Sequence, residues 1–253
     1  MKLKLFFAVV FASLQSFALS NSVAAEETGW QSVAFIKVPF VETDGSIGLG
    51  HCNAALINDR TLLTAAHCVQ NSALNRGHKL EVQLGDYHYI IKDGVKKKIG
   101  YKVKITHLSS VVIKVLPGTN LDSTSTIPPQ LDIAFLKLDQ PINVPSDFVF
   151  AELWNQSLPQ LTSAHRPTLV SINYAETVTH MDTRQKALLN NFSMSGPVMY
   201  STSTSRVAPG DSGAPLFAMI NNKTYLIGVV KGTVRQFMTE RDVLVTLQGR
   251  MQP

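Results

Sequence analysis

An all-β architecture, a sandwich or a barrel, is predicted by three features of this 253-residue chain. Its apolar segments are short and rich in β-branched residues, turn-forming residues separate them at strand-like spacing, and long helical periodicity is hard to find. In chain order the segments are Val33–Val38, Ala54–Ile57, Leu80–Leu84, Tyr87–Ile91, Tyr101–Ile105, Ile133–Leu138, Leu169–Ile172, Tyr225–Val230 and Asp242–Leu247. Asp93-Gly94, between two such runs, has the composition of a two-residue hairpin turn. Ala65–Gln70 and Thr183–Asn191 are the best short helical candidates. Pro117–Gln130, rich in Thr, Ser and Pro, reads as a long loop. Leu138–Leu161 carries Pro141, Pro145 and Pro159 and reads as the connection between two halves of roughly 100 residues each, an ordinary domain size. The expected units are therefore 26–150 and 151–253.

Residues 1–25 carry the pattern of a secretory signal. Lys2 and Lys4 form a short basic region, Leu5–Ala12 is an unbroken apolar run, and Val23-Ala24-Ala25 ends in small residues suited to cleavage. A buried first helix is the alternative reading. Export to the periplasm or the exterior places the chain in an oxidising compartment, where its only two cysteines, Cys52 and Cys68, are expected to pair. Such a loop closure contributes about 3 kcal/mol in the chain-entropy model. A zinc site using the neighbouring His51 and His67 is the competing reading, but the paired short spacings of structural zinc sites are missing.

Composition narrows the function classes. With 45% hydrophobic and 16% charged residues the chain is of ordinary globular type. No apolar run reaches the roughly 18 residues of a bilayer span, so no membrane partner is expected once a leader is removed. The formal charge of +5 falls to +3 without the leader, whose Lys2 and Lys4 face no acid. The basic residues form no stripe interleaved with aromatics, so nucleic acid is not an expected partner.

Three local patterns carry chemistry, in the order His, Asp, Ser: Leu63-Thr64-Ala65-Ala66-His67-Cys68, Asp132-Ile133-Ala134-Phe135-Leu136-Lys137-Leu138 and Pro209-Gly210-Asp211-Ser212-Gly213-Ala214-Pro215-Leu216. Each alone has a plain reading: a packed histidine, a carboxylate opening a strand, a surface turn. Together, in this order, they resemble the chymotrypsin/trypsin family of serine peptidases. An α/β-hydrolase is excluded, because its order is Ser, acid, His and its nucleophile elbow needs Gly where Ala214 stands.

The resemblance implies two six-stranded antiparallel β-barrels with a site in the cleft between them. It implies that His67 is the general base, that Asp132 orients it, and that Ser212 is the nucleophile. The N–H groups of Gly210 and Ser212 would form the oxyanion hole, each worth about 3–4 kcal/mol of transition-state stabilisation. Protein or peptide substrates, a monomeric state and no metal or organic cofactor follow as expectations. A protease-like binding protein without turnover is the alternative.

Several departures bear on function. The family's activated N-terminus is absent, so Asp211, which that terminus normally pairs, needs another cation or several N–H donors, and Arg166 is one candidate. The Gly-Gly after the first cysteine is Asn53-Ala54 here. By the resemblance, Arg206, six residues before Ser212, falls at the base of the specificity pocket, with a solvent-facing side chain or a pairing with Asp211 as the alternatives, and Lys231 stands where the substrate-binding strand usually carries serine. Cleavage after Lys or Arg is therefore not expected.

Overall fold

The computed structural model describes residues 22–25, 30–92, 95–108, 111–123, 125–172, 184–203, 207–208, 210–236 and 239–247; at 86–103 and 234–240 only the backbone is described. After β1 (Val23–Ala24), the first half of the chain contributes β2 (Val33–Val41), β3 (Ile47–Asn58), β4 (Thr61–Thr64), β5 (Leu80–Lys92), β6 (Val95–Leu108), β7 (Val111–Val115) and β8 (Ala134–Leu138). The second half adds β9 (Thr168–Ile172), β10 (Arg184–Leu188), β11 (Phe192–Ser195), β12 (Val198–Ser201), β13 (Pro215–Ile220), β14 (Lys223–Gln236) and β15 (Thr239–Thr246). They form two antiparallel sheets. The first is ordered β6-β5-β2-β3-β4-β8-β7 and the second β1-β10-β9-β13-β14-β15-β12-β11. Except for β1, each half of the chain builds its own sheet, and no strand lies in the connection from 139 to 167.

Burial explains which sequences take the central positions. β4 reads Thr-Leu-Leu-Thr and is buried throughout, because β3 and β8 flank it and both its faces are covered. Central strands covered on two faces lose the polar alternation of half-exposed ones. The core does not stop at the boundary between the sheets. Val170, Ile172, Phe217, Leu226, Val229 and Val245 of the second sheet pack into the same core as Phe35, Leu62 and Phe135 of the first. Each such side chain contributes roughly 1.5–3 kcal/mol by leaving water. Backbone hydrogen bonds Ala151 N–H to Leu56 O at 3.0 Å and Asn53 N–H to Ser212 O at 2.7 Å add polar links across this seam.

Two local expectations are corrected. The stretch read as helix at Thr183–Asn191 is a strand, β10, which pairs residue by residue with β9 from Arg184↔Ile172 to Leu188↔Thr168. An open sheet edge offers this segment five backbone pairings, which outweigh a short local helical preference. Ala65–Gln70 is a single 3-10 turn at Ala66–Val69, not an α-helix. Residues 93 and 94 lie outside the described residues, though Lys92 and Val95 on either side of them pair across the β5–β6 hairpin.

Residues 1–21 lie outside the described residues, but Val23 and Ala24, read as the end of a leader, pair with Lys186 and Gln185 on the edge of the second sheet. Ala25 is fully buried and donates its N–H to the Arg184 carbonyl at 2.9 Å.

Candidate active site

The three motif residues sit on short irregular segments next to buried strands. His67 follows β4 on the 3-10 turn, and the Cys52–Cys68 disulfide ties that turn to β3, with Cα atoms 6.1 Å apart. The competing zinc reading falls here: the two sulfurs are bonded to each other and supply no thiolate, and His51 stacks on Phe35. Asp132 follows a 3-10 turn at Pro129–Leu131, two residues before β8. Because β4 pairs with β8 from Thr61↔Lys137 to Thr64↔Ala134, the segments beyond those strand ends meet, bringing His67 to Asp132.

Asp132 is 0% exposed, and its carboxylate is fully engaged. Oδ1 accepts the backbone N–H of His67 at 2.8 Å. Oδ2 lies 2.8 Å from His67 Nδ1 and accepts a hydrogen bond from Lys231 Nζ at 3.0 Å. Burial alone would push this carboxyl up. The hydrogen bonds and charge of His67, with the Lys231 ammonium, overcome that and hold it below the usual carboxylate range.

Ser212 stands on the loop before β13, between two glycines with left-handed backbone, Gly210 at φ 95° and Gly213 at φ 75°. A Cβ on Gly213 would also collide with the Asn53 carbonyl oxygen and Thr64 Oγ1. The loop is tied down by Gly213 N–H to Val230 O at 2.8 Å and Ala214 N–H to Asp211 O at 2.9 Å. Among the described residues, neither the N–H of Gly210 nor that of Ser212 donates to a backbone acceptor. The Ser212 hydroxyl donates to the carbonyl of Lys231 at 3.5 Å, and no hydrogen bond joins it to His67. His67, Gln70, Thr126, Ile127, Lys231, Gly232, Thr233 and Val243 line a cleft of about 250 Å³ beside it.

Asp211 is 2% exposed, and its partner is not Arg166. It accepts the Ala208 N–H at 2.8 Å and the Ser171 hydroxyl of β9. Burial pushes its carboxyl up to about 6, with Asp242 adding repulsion, and the two donors only partly oppose this. Arg166 lies exposed at φ 45° at the end of a 3-10 turn, beside a separate cavity that Trp30 and Phe217 help to line.

Lys231 lies on β14 and lines the cleft as a strand residue, but its ammonium binds Asp132 and the Ile127 carbonyl, the latter at 2.8 Å. Arg206 lies outside the described residues.

The role of one residue escapes the sequence reading, which notes Asn53 only as a departure from the Gly-Gly pattern. Asn53, fully buried on β3, donates Nδ2–H to Gly210 O at 2.8 Å and to Ile172 O at 3.4 Å, and accepts the Ile172 N–H at 2.8 Å. With its backbone N–H on Ser212 O, it pins the serine loop and β9 to the first sheet. The available signal was a polar side chain inside the apolar run Cys52–Ile57. Buried amides persist where they satisfy several backbone groups at once. Ser171 within Leu169–Ile172 is the same kind of signal.

Two antiparallel sheets meet at a half-buried His67 paired with a buried Asp132, near a glycine-flanked serine, an arrangement of serine-peptidase type. The chain belongs to the trypsin family, whose family model, "Trypsin", matches residues 40–240. It is also similar to a CLIP domain-containing serine protease B4 of Anopheles gambiae, with 26% identity over 212 residues covering 76% of this chain. The match spans 57% of that relative's length.

Proposed function

We propose that the protein is an exported serine endopeptidase acting on protein or peptide substrates through His67, Asp132 and Ser212. The observation that carries this is the engagement of Asp132: one buried carboxylate holds both the ring and the backbone of His67 near a serine loop in which the Gly210 and Ser212 N–H groups have no backbone acceptor among the described residues. The family supports serine-protease chemistry in general, and the assignment to these residues is ours.

In this mechanism the Nδ1–H bond to Asp132 leaves Nε2 as the basic nitrogen of neutral His67. Rotation about the Ser212 Cα–Cβ bond turns the hydroxyl from the Lys231 carbonyl toward Nε2, a tightening commonly completed only when substrate is bound. His67 takes the hydroxyl proton as Oγ bonds to the substrate carbonyl carbon. The carbonyl electrons move onto oxygen, and the Gly210 and Ser212 N–H groups hold that oxyanion. The imidazolium gives its proton to the leaving amine as the C–N bond breaks, and water attacks the acyl-enzyme by the same route. No step calls for a metal or organic cofactor. Because Ser171 and Ala208 already satisfy Asp211 from within the chain, the oxyanion loop is held without a newly cut N-terminus, and no zymogen cleavage is required.

The position of the Ser212 hydroxyl favours a second reading, a protease-like binding protein without turnover. A fluorophosphonate probe separates the two. Covalent labelling that disappears in Ser212→Ala supports the peptidase, and an unlabelled, folded wild-type protein selects the binding protein. For export, sequencing the N-terminus of the protein recovered outside the cytoplasm tests where the chain is cut, and a start before Val23 keeps β1.

A further inference from the structure

The cleft holds one charged group that the mechanism above does not use. Lys231 reaches from β14 in the second sheet across to the first, with 13% of its side chain exposed against 0% for Asp132. Its ammonium is anchored at both ends of a short span, on the Ile127 carbonyl at 2.8 Å and on Asp132 Oδ2 at 3.0 Å. Oδ2 is the same oxygen that binds His67 Nδ1. A buried ion pair is weak evidence for stability, since desolvation offsets its Coulomb gain. The informative feature is the sharing of a single acceptor atom between a permanent cation and a titrating ring.

We infer that Lys231 is a positioning residue for the His67–Asp132 pair: its ammonium fixes the carboxylate and competes with the His67 ring for Oδ2, so that its charge opposes the build-up of a second positive charge on the ring. This rests on the reading of His67 as general base. Two charges that share one oxygen lie within about 6 Å of each other, where repulsion at protein-surface dielectric corresponds to about two pH units. Among the described residues, the titratable groups set against His67 are Asp132, from the segment before β8, and Lys231, from β14. The rest of the cleft wall, Gln70, Thr126, Ile127, Gly232, Thr233 and Val243, is uncharged. The main-chain carbonyl of Lys231 receives the Ser212 hydroxyl, so a side-chain substitution leaves that contact available.

The test compares Lys231→Met, which keeps most of the stem and removes the charge, with Lys231→Arg, which keeps the charge. Two readouts are needed: the acid limb of the pH dependence of kcat/KM, and the NMR titration of the His67 imidazole in the Ser212→Ala background, which needs no turnover. Expected is an upward move of both by about two pH units in Lys231→Met, with Lys231→Arg close to the parent. Coincident titrations of Lys231→Met and parent overturn the inference, as does an equal shift in Lys231→Arg. If Lys231→Met does not fold, Lys231→Gln carries the same comparison. A protein that fluorophosphonate fails to label, but whose His67 titration moves in Lys231→Met, keeps the electrostatic coupling and loses the peptidase reading. A labelled protein whose His67 titration is unmoved does the reverse.

Discussion

Asp132 and Asp211 are both almost sealed from water, at 0% and 2% exposure, yet burial leaves one carboxyl below its ordinary range and pushes the other up to about 6. The difference lies in the partners each sheet supplies. Asp132 sits where the two halves meet and receives a backbone N–H, an imidazole and an ammonium from them. Asp211 lies within the second half, with one N–H, one hydroxyl and another carboxylate, Asp242, nearby. Desolvation acts on both in the same direction, and at Asp132 the His67 hydrogen bond together with the charges of His67 and Lys231 reverses it. The site is thus built from a carboxylate kept charged to serve a ring and another that braces a loop at the edge of neutrality.

The contrast can be broken most strongly at Asp132. Asp132→Asn keeps the shape but gives His67 the wrong tautomeric partner, and kcat is expected to fall by about 10⁴-fold with KM little changed. Steady-state kinetics on a peptide substrate checks this, and a fall in binding alone would count against the assigned role.

The next effect concerns stability against pH. Asp211 has a folded value above its unfolded one, so its contribution is full below about pH 4 and is lost as pH rises through about 6, up to about 3 kcal/mol. Asp132 has the opposite sign: its contribution is present above the ordinary carboxylate range and is lost as acid drops below its depressed folded value. Urea unfolding of Asp211→Asn at several pH values between 4 and 7 should show a flatter profile than wild type. An unchanged slope would remove Asp211 as the source.

A smaller loss is expected at the link between the halves. Asn53→Ala strands the Gly210 carbonyl and the Ile172 N–H in a buried seam, costing about 2 kcal/mol, and loosens the serine loop, so kcat/KM falls alongside the urea midpoint. Normal activity in a destabilised Asn53→Ala protein would mean the bridge supports the fold alone. The smallest effect belongs to β1: a chain started at Glu26 should unfold about 2–4 °C below one started at Asn21, corresponding to about 1 kcal/mol for the lost edge pairing. Equal melting temperatures by calorimetry would show that Val23–Ala25 adds nothing.

Much of this arrangement was legible in local sequence. Val33–Val38, Leu169–Ile172 and Tyr225–Val230 announce strands because their apolar, β-branched runs need burial on both faces, and all three are strands. The His67, Asp132 and Ser212 motifs are short and local, and it is their combination and order along the chain that points to one chemistry. Arg184–Leu188 was misread because its strand state comes from the β9 edge beside it rather than from its own residues. Arg166 was a reasonable partner for Asp211 on charge alone, but a hydroxyl from the neighbouring strand β9 reaches that carboxylate.

What the amino-acid order settled alone was the set of reactive groups, their succession along the chain and the one possible disulfide, since these depend on residue identity and near neighbours. Packing decided where the polar ends point. Lys231 and Asp132 are 99 residues apart, and Asn53 and Gly210 are 157. No local pattern encodes such contacts, because they exist only once two sheets have buried a common seam and left each polar atom to find whatever partner that seam presents.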